Sequence, residues 1–284
     1  MQILTKPEEV AALCRSWHAA GDDIALVPTM GYYHAGHEDL MRHGRKLARR
    51  LVVSLFVNPA QFGPNEDLAA YPRDAGRDAE IARGHGADLL FMPEPADMYA
   101  ADHATWVEAP ELAAGLCGKS RPGHFRGVCT VVLKLFNITG ADYAVFGLKD
   151  WQQQAIIKRM ARDLNLPVKI ETRPIVREPD GLALSSRNVY LAPEERAAAP
   201  SIWQGLCAAR DLAAAGEVNV GVLKKAMTDL LARRMPQGRI DYLEVVHPDS
   251  LEVLESAHGP ALMACAVYLG KTRLLDNIIL RSEA

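Results

Sequence analysis

The sequence predicts an α/β protein, with a parallel sheet covered by helices in its first part and a smaller α+β domain after it. Three observations carry that expectation. Short apolar runs alternate with helix-period segments as far as residue 172. The run 51–57, LVVSLFV, has the β-branched composition of a strand buried on both faces. After Pro174 the order changes to helices first and strands second. The expected boundary falls where Pro174, Pro179 and Gly181 cluster, giving domains 1–174 and 175–284.

Taken in order, residues 24–28 form a short apolar strand, and 37–50 follow with helical spacing, Leu40, Met41, Leu47 and Ala48 on one side. The strand 51–57 comes next, then a helix over 74–85 and a strand over 88–92. A helix is expected over 127–138, a strand over 143–146, a helix over 151–164 and a strand over 168–172. In the second part Leu191-Ala192-Pro193-Glu194-Glu195 reads as a helix start, because an early proline and first-turn acids suit a helix N-terminus. An Ala-rich helical stretch then runs to about residue 215, with a second helix over 220–235. Strand-like runs follow at 240–246, 262–269 and 273–280.

Composition narrows the function classes. The hydrophobic share of 49% and charged share of 24% suit a folded globular chain. A net charge of -3 offers no excess of cations for wrapping DNA or RNA. The start MQILTKPEEVAAL lacks a basic segment followed by an apolar core, and no run is long enough to span a bilayer. A cytoplasmic location is therefore expected. The five cysteines are scattered without a C-x-x-C pair, so they are expected to be small core residues rather than disulfides or zinc ligands.

Five segments carry candidate chemistry. Pro28-Thr29-Met30-Gly31-Tyr32-Tyr33-His34-Ala35-Gly36-His37 joins a strand to a helix, where backbone N–H groups face bound anions. There His34 and His37 suit hydrogen bonds to phosphate oxygens, and a structural or metal-binding pair is the alternative. In Phe56-Val57-Asn58-Pro59-Ala60-Gln61-Phe62, Gln61 either serves a hydroxylated acid or is a plain loop amide. Arg73, in Tyr71-Pro72-Arg73, reads as a surface or structural arginine. Residues 118–127, GKSRPGHFRG, place cations among glycines and suggest a mobile lid, against a solvated basic turn. In Phe146-Gly147-Leu148-Lys149-Asp150-Trp151-Gln152-Gln153, Lys149 suits a phosphate, and Asp150 either caps the helix or meets a ribose hydroxyl. Gln153 lies one turn further on. Finally, Leu184-Ser185-Ser186-Arg187-Asn188 offers two hydroxyls and a guanidinium as a phosphate clamp.

Together these segments resemble the pantothenate synthetases, or pantoate–β-alanine ligases, of the nucleotidylyltransferase superfamily with the HxGH signature. The resemblance rests on PTMGYYHAGH, FVNPAQF, YPRD, SRPGHFRGV, FGLKDWQQ, LSSRN and TRLLDN, in the family's order from Pro28 to Asn277. It implies a Rossmann-like first domain, a C-terminal domain acting as lid and associated with dimer formation, a homodimer, and Mg-ATP with the magnesium held mainly by ATP. It implies that ATP meets Met30, His34, His37, Gly147, Lys149, Asp150, Val176, Leu184, Ser185, Ser186 and Arg187. Pantoate would meet Met30, Gln61 and Gln153, and His37, His34, Lys149 and Arg187 would carry the chemistry. The implied reaction activates pantoate as an acyl-adenylate and joins it to β-alanine. Tyr33, Leu148 and Leu184 depart from the Leu, Glu and Met usual there. A nucleotidylyltransferase acting on a phosphorylated cofactor, a silent nucleotide-binding protein and an aminoacyl-tRNA synthetase fragment are the competing readings.

Overall fold

The computed structural model describes residues 1–64 and 66–281. The chain opens with β1 (Gln2–Leu4) and α1 (Pro7–Ala19). It continues through β2 (Ile24–Thr29), α2 (Ala35–Leu47), β3 (Arg50–Leu55), α3 (Ala75–Gly84) and β4 (Leu89–Phe91). Four helices follow, α4 (Pro95–Met98), α5 (Pro110–Ala113), α6 (Leu116–Ser120) and α7 (His124–Thr139). Next come β5 (Tyr143–Gly147), α8 (Trp151–Asp163) and β6 (Lys169–Arg173). The apolar pattern did not foretell β1, three residues long, because its strand character comes from its ladder to β4. Helix α1 did carry a signal, with Pro7 at its first position and Glu8 and Glu9 in the first turn.

The chain divides into two compact units. The first comprises Met1–Glu111, Arg121–Leu148 and Ile156–Pro174. It contains a six-stranded sheet in the order β1-β4-β3-β2-β5-β6, with every pairing parallel. Strand order reverses between β2 and β5. There the ladder comprises only Ala25 with Tyr143 and Leu26 with Ala144, whereas β2 pairs with β3 through Thr29. Pro28, which has no N–H, lies beyond the short ladder and breaks no bond in it. One face of the sheet buries Ala25, Val27, Leu51 and Val53 with Met41 of α2 and Ala79 and Ala82 of α3. Helices α1 and α7 pack together, and the right-handed rule for parallel crossovers assigns them to the other face.

The second unit comprises Leu112–Ser120, Lys149–Ala155 and the described chain from Ile175 onward. It adds α9 (Pro193–Ala198), α10 (Ser201–Ala214) and α11 (Val220–Arg234), then β7 (Arg239–Val246), β8 (Ala261–Leu269) and β9 (Thr272–Arg281). The strands form an antiparallel sheet in that order. The single helix expected up to residue 215 is two helices, because Pro200 cannot supply an N–H and instead caps the start of α10. Alternate residues of β8 explain why two early segments belong to this unit. Met263, Cys265 and Val267 pack with Ile202, Leu206, Leu223 and Met227. Leu262 and Ala264, on the opposite face, pack with Leu116 and Trp151. The Trp151 indole N–H also donates to Pro248 O at 2.8 Å.

Residues 118–127 are not an open loop. They lie at the end of α6 and the start of α7, because Leu116, Cys117, Phe125 and Val128 have apolar surface to bury. Within the first unit, Arg121 donates to both oxygens of Glu66, at 2.6 and 2.5 Å, and Arg126 lies over the Trp106 ring. Arg121 and Arg126 thus have protein partners, unlike the side chains of a plain solvated basic turn. All five cysteines are free thiols. Burial pushes Cys14 and Cys129 up to about 12, as expected of inert core thiols. Among the described residues, no helix is long and apolar enough to cross a membrane.

Gly127 sets how closely α7 approaches the turn Pro59–Gln61. A Cβ there would lie 2.3 Å from Ala60 O and 2.6 Å from Gln61 N, both main-chain atoms that cannot rotate away. Gly127→Ala is expected to destabilise the fold by about 1–3 kcal/mol, as overpacking does. Urea unfolding measures this, and an unchanged midpoint would mean that the helix shifts without cost.

Candidate active site

The turn after β2 is built around one buried carboxylate. Asp78, 1% exposed, accepts the Tyr32 N–H at 2.6 Å and the Tyr33 N–H at 2.8 Å. It stands in the first turn of α3, whose start Asp74 caps by accepting the Arg77 N–H. Gly31 takes φ +87 and Tyr32 φ +52, so two consecutive residues are left-handed. Gly31 also has to be small, since a Cβ would lie 2.9 Å from Asp78 Oδ2. Thr29 completes the support by donating to Ser54 O at 2.6 Å and accepting the Gly31 N–H at 3.3 Å. Arg77 donates to Tyr33 O at 2.9 Å. Burial raises the Asp78 carboxyl above its ordinary value, against the lowering effect of its two N–H donors.

This turn delivers His34 and His37 at the start of α2. His34 is the N-cap, and its Nδ1 accepts the Gly36 N–H at 3.1 Å. His37 Nδ1 accepts the His34 N–H at 3.3 Å, and the two ring centres are 4.2 Å apart. With both Nδ1 atoms accepting, a neutral ring carries its proton on Nε2 in each case. The pair thus presents imidazole donors beside a helix N-terminus, a favourable combination for an anion.

The structure also brings Met30 and Gln61 together. Gln61 Nε2 lies 3.1 Å from Met30 Sδ, and Asn58 Nδ2 donates to Gln61 Oε1 at 3.1 Å. Asn58 is 1% exposed and is itself held by Gly127 O at 3.2 Å and by the Tyr99 hydroxyl at 2.8 Å. His124 reads the other side of the same turn. Its Nε2 accepts from Arg121 at 3.0 Å, so its Nδ1–H donates to Gln61 O at 2.9 Å. Glu66 feels both burial and Arg121. The burial would raise its carboxyl, but the guanidinium holds it below the usual range. Arg73 donates to Leu68 O and Tyr71 O, a structural role. Gly147 ends β5 with nothing within 4 Å of a notional Cβ, leaving open space at the strand end.

The remaining candidates stand in the second unit. Lys149 and Asp150 form a single helical turn before α8, with Lys149 Nζ 3.6 Å from Asp150 Oδ2. Gln153 is half-buried in the first turn of α8. Beside it, Gln152 is occupied structurally, accepting the Cys117 N–H and donating to Leu112 O and Gly115 O. Val176 and Leu184 face each other across a narrow hairpin, Leu184 N–H donating to Val176 O at 3.0 Å. Ser185 then caps the turn Ser186–Tyr190 by accepting the Arg187 N–H at 3.3 Å. Ser186 is 7% exposed, and Arg187 is half-buried.

Reasoning from sequence passed over Asp78, Asn58 and Glu66. Asn58 does carry a local signal, since it stands in the FVNPAQF motif with Gln61. Asp78 and Glu66 carry no local signal, because their partners are 45 or more residues away.

A family model described as pantoate-beta-alanine ligase matches residues 2–279 of this chain. The chain is 72% identical to a pantothenate synthetase of Desulfovibrio desulfuricans, over 99% of this chain and 100% of that one. It is similar to the crystal structure of pantothenate synthetase from Thermus thermophilus, with TM-score 0.92 and 42% identity over 99% and 100% of the two chains. It is also similar to a pantoate-beta-alanine ligase from Francisella tularensis solved with beta-gamma ATP and beta-alanine. The TM-score there is 0.82 and the identity 32%, over 99% and 98% of the chains.

Asp78→Asn keeps the shape but turns one acceptor into a donor facing a backbone N–H. The expected loss of stability is about 1–3 kcal/mol, the cost of a buried unmatched donor. Amide hydrogen exchange at Tyr32 and Tyr33 should accelerate beyond the change in global stability. Exchange unchanged at both would show that the turn does not depend on the carboxylate.

Proposed function

The chain belongs to the pantoate–β-alanine ligase family, and on that premise we propose that it condenses pantoate with β-alanine to pantothenate through a pantoyl-adenylate, using ATP and releasing AMP and pyrophosphate. The observation that best supports this reading in the molecule itself is the histidine pair. Both Nδ1 atoms accept main-chain hydrogen bonds, which puts the proton of each neutral ring on Nε2, the donor we assign to charge developing on phosphate oxygens.

In the first half-reaction a pantoate carboxylate oxygen attacks the α-phosphorus of ATP, and the bond from that phosphorus to the bridging oxygen breaks. Pyrophosphate leaves with the electron pair. The enzyme makes no covalent bond, so positioning and charge stabilisation dominate. We assign the phosphates to His34, His37, Lys149, Ser185, Ser186 and Arg187. Gly147, Asp150, Val176 and Leu184 are assigned to the nucleoside side, with Met30 also in contact with ATP. Pantoate is assigned to Met30, Gln61 and Gln153. Gln61 is well prepared for that task, since Asn58 fixes its amide orientation. In the second half-reaction the β-alanine amine attacks the adenylate carbonyl, the acyl–oxygen bond breaks, AMP leaves and the amine proton passes to solvent.

Magnesium fits this scheme as a companion of ATP. The family resemblance implies an ion held mainly by the phosphate oxygens of ATP, where it would neutralise phosphate charge. We also propose a homodimer and a cytoplasmic location.

With pantoate present and β-alanine absent, the protein should exchange labelled pyrophosphate into ATP, since the first half-reaction is complete without the amine. Adding β-alanine should divert the adenylate to pantothenate and AMP. Exchange that strictly required β-alanine would overturn the stepwise route, and exchange driven only by a phosphorylated acceptor would make the protein a nucleotidylyltransferase.

His37→Ala and Lys149→Ala should each slow this exchange by about 100-fold or more, as loss of a transition-state charge stabiliser does. Thermal unfolding should move far less. Either variant exchanging at the wild-type rate removes that residue from the mechanism.

A further inference from the structure

Strand β9 carries two adjacent buried polar residues that the mechanism does not use. Asp276 is 4% exposed and Asn277 6%. Neighbours on a strand point to opposite faces, and these two reach different segments of the second unit. Asn277 Nδ2 donates to the main-chain oxygen of Lys149 at 3.0 Å. Asp276 takes both arms of the Arg177 guanidinium at 2.6 and 2.8 Å. It also accepts the Asn277 N–H at 2.8 Å, so each residue helps to orient the other.

Arg177 in turn organises the hairpin. It donates to Gly181 O at 3.1 Å and lies 3.5 Å from the centre of the Trp203 ring. Arg177 pairs with Ala183 across the hairpin, and Ala183 O accepts from Asn188 Nδ2 at 3.1 Å. The chain from Val176 to Asn188 therefore takes its position from Asp276, and the chain at Lys149 from Asn277.

We propose that Asp276 and Asn277 are a positioning pair that holds Lys149 and the Ser185–Arg187 segment in a fixed register for the phosphates of one nucleotide. The proposal rests on the assignment of those two segments to ATP. A rigid strand supplies the common reference, which separate loops could not.

Asn277→Asp and Asn277→Ala test this through ATP affinity, measured by titration calorimetry without turnover. Aspartate keeps the shape of asparagine. Ionised, it sets a carboxylate against Lys149 O, and protonated, it restores a donor. Charged residues next to it in the chain or joined to it by a hydrogen bond are Asp276 on β9 and Lys149 before α8, whereas Arg177 and Cys265 face Asp276.

ATP binding by Asn277→Asp should be about tenfold weaker than wild type near pH 8, the worth of one hydrogen bond. Asn277→Ala should also bind ATP more weakly, measured at a temperature where thermal unfolding shows the variant fully folded. Wild-type ATP affinity in both variants would overturn the proposal. Should the alanine variant fail to fold, the ATP affinity of the aspartate variant decides alone. Pyrophosphate exchange by the wild type tests the ligase reading separately. Its absence with intact ATP binding would sink that reading and leave the positioning result standing.

Discussion

Strands β2 and β5 share two residue pairs and then part, and the first unit's chemistry depends on that parting. In a parallel sheet the chain leaves successive strands on one side or the other. Where the direction reverses, no crossover covers the strand ends. Pro28 lies just past the short ladder, where its missing N–H costs nothing. Everything from Met30 to His37 is chain that must turn sharply at this opening and enter a helix. The left-handed residues Gly31 and Tyr32 make that turn possible, and the buried Asp78 carboxylate makes it persist. The two histidines inherit their orientation from this backbone arrangement, since each Nδ1 is occupied by a main-chain N–H.

The same logic governs the polar side chains around Gln61. An amide can donate or accept at either end, so a free glutamine specifies little. Asn58 removes the ambiguity by donating to one end of it, and Asn58 is in turn fixed from Tyr99 and α7. His124 and Arg121 anchor the main chain of the same residue. Arg121, His124 and Arg126 of the 118–127 segment thus meet protein partners. The acid that pairs with Arg121, Glu66, stands 55 residues away, beyond the reach of a local reading.

In the second unit the organising element is an edge strand. β9 pairs with β8 on one side only, and its residues alternate between the α10–α11 core and the Leu116–Trp151 core. That alternation explains why Lys149 and the residues after it belong to the C-terminal unit although they follow β5 directly in the chain. Trp151 is an apolar anchor on the far face of the antiparallel sheet, and the main chain at Lys149 is tied to Asn277.

The sequence by itself determined the class of fold, the order of nearly all elements, and the motifs on which family membership and the reaction rest. These are local properties. Apolar periodicity, turn residues and short motifs each lie within a few positions of one another, so a linear reading finds them. Tertiary structure alone decided which motif residues are held and by what. Asp78 supporting Tyr32 and Tyr33, Glu66 neutralising Arg121, and Asn277 meeting Lys149 O span 46, 45, 55 and 128 positions. It also decided that β1 is a strand, because three residues acquire that state only when a neighbour supplies the ladder. Each of these depends on the energy of burying a polar group with its partner, and that energy exists only after the chain has brought the two together.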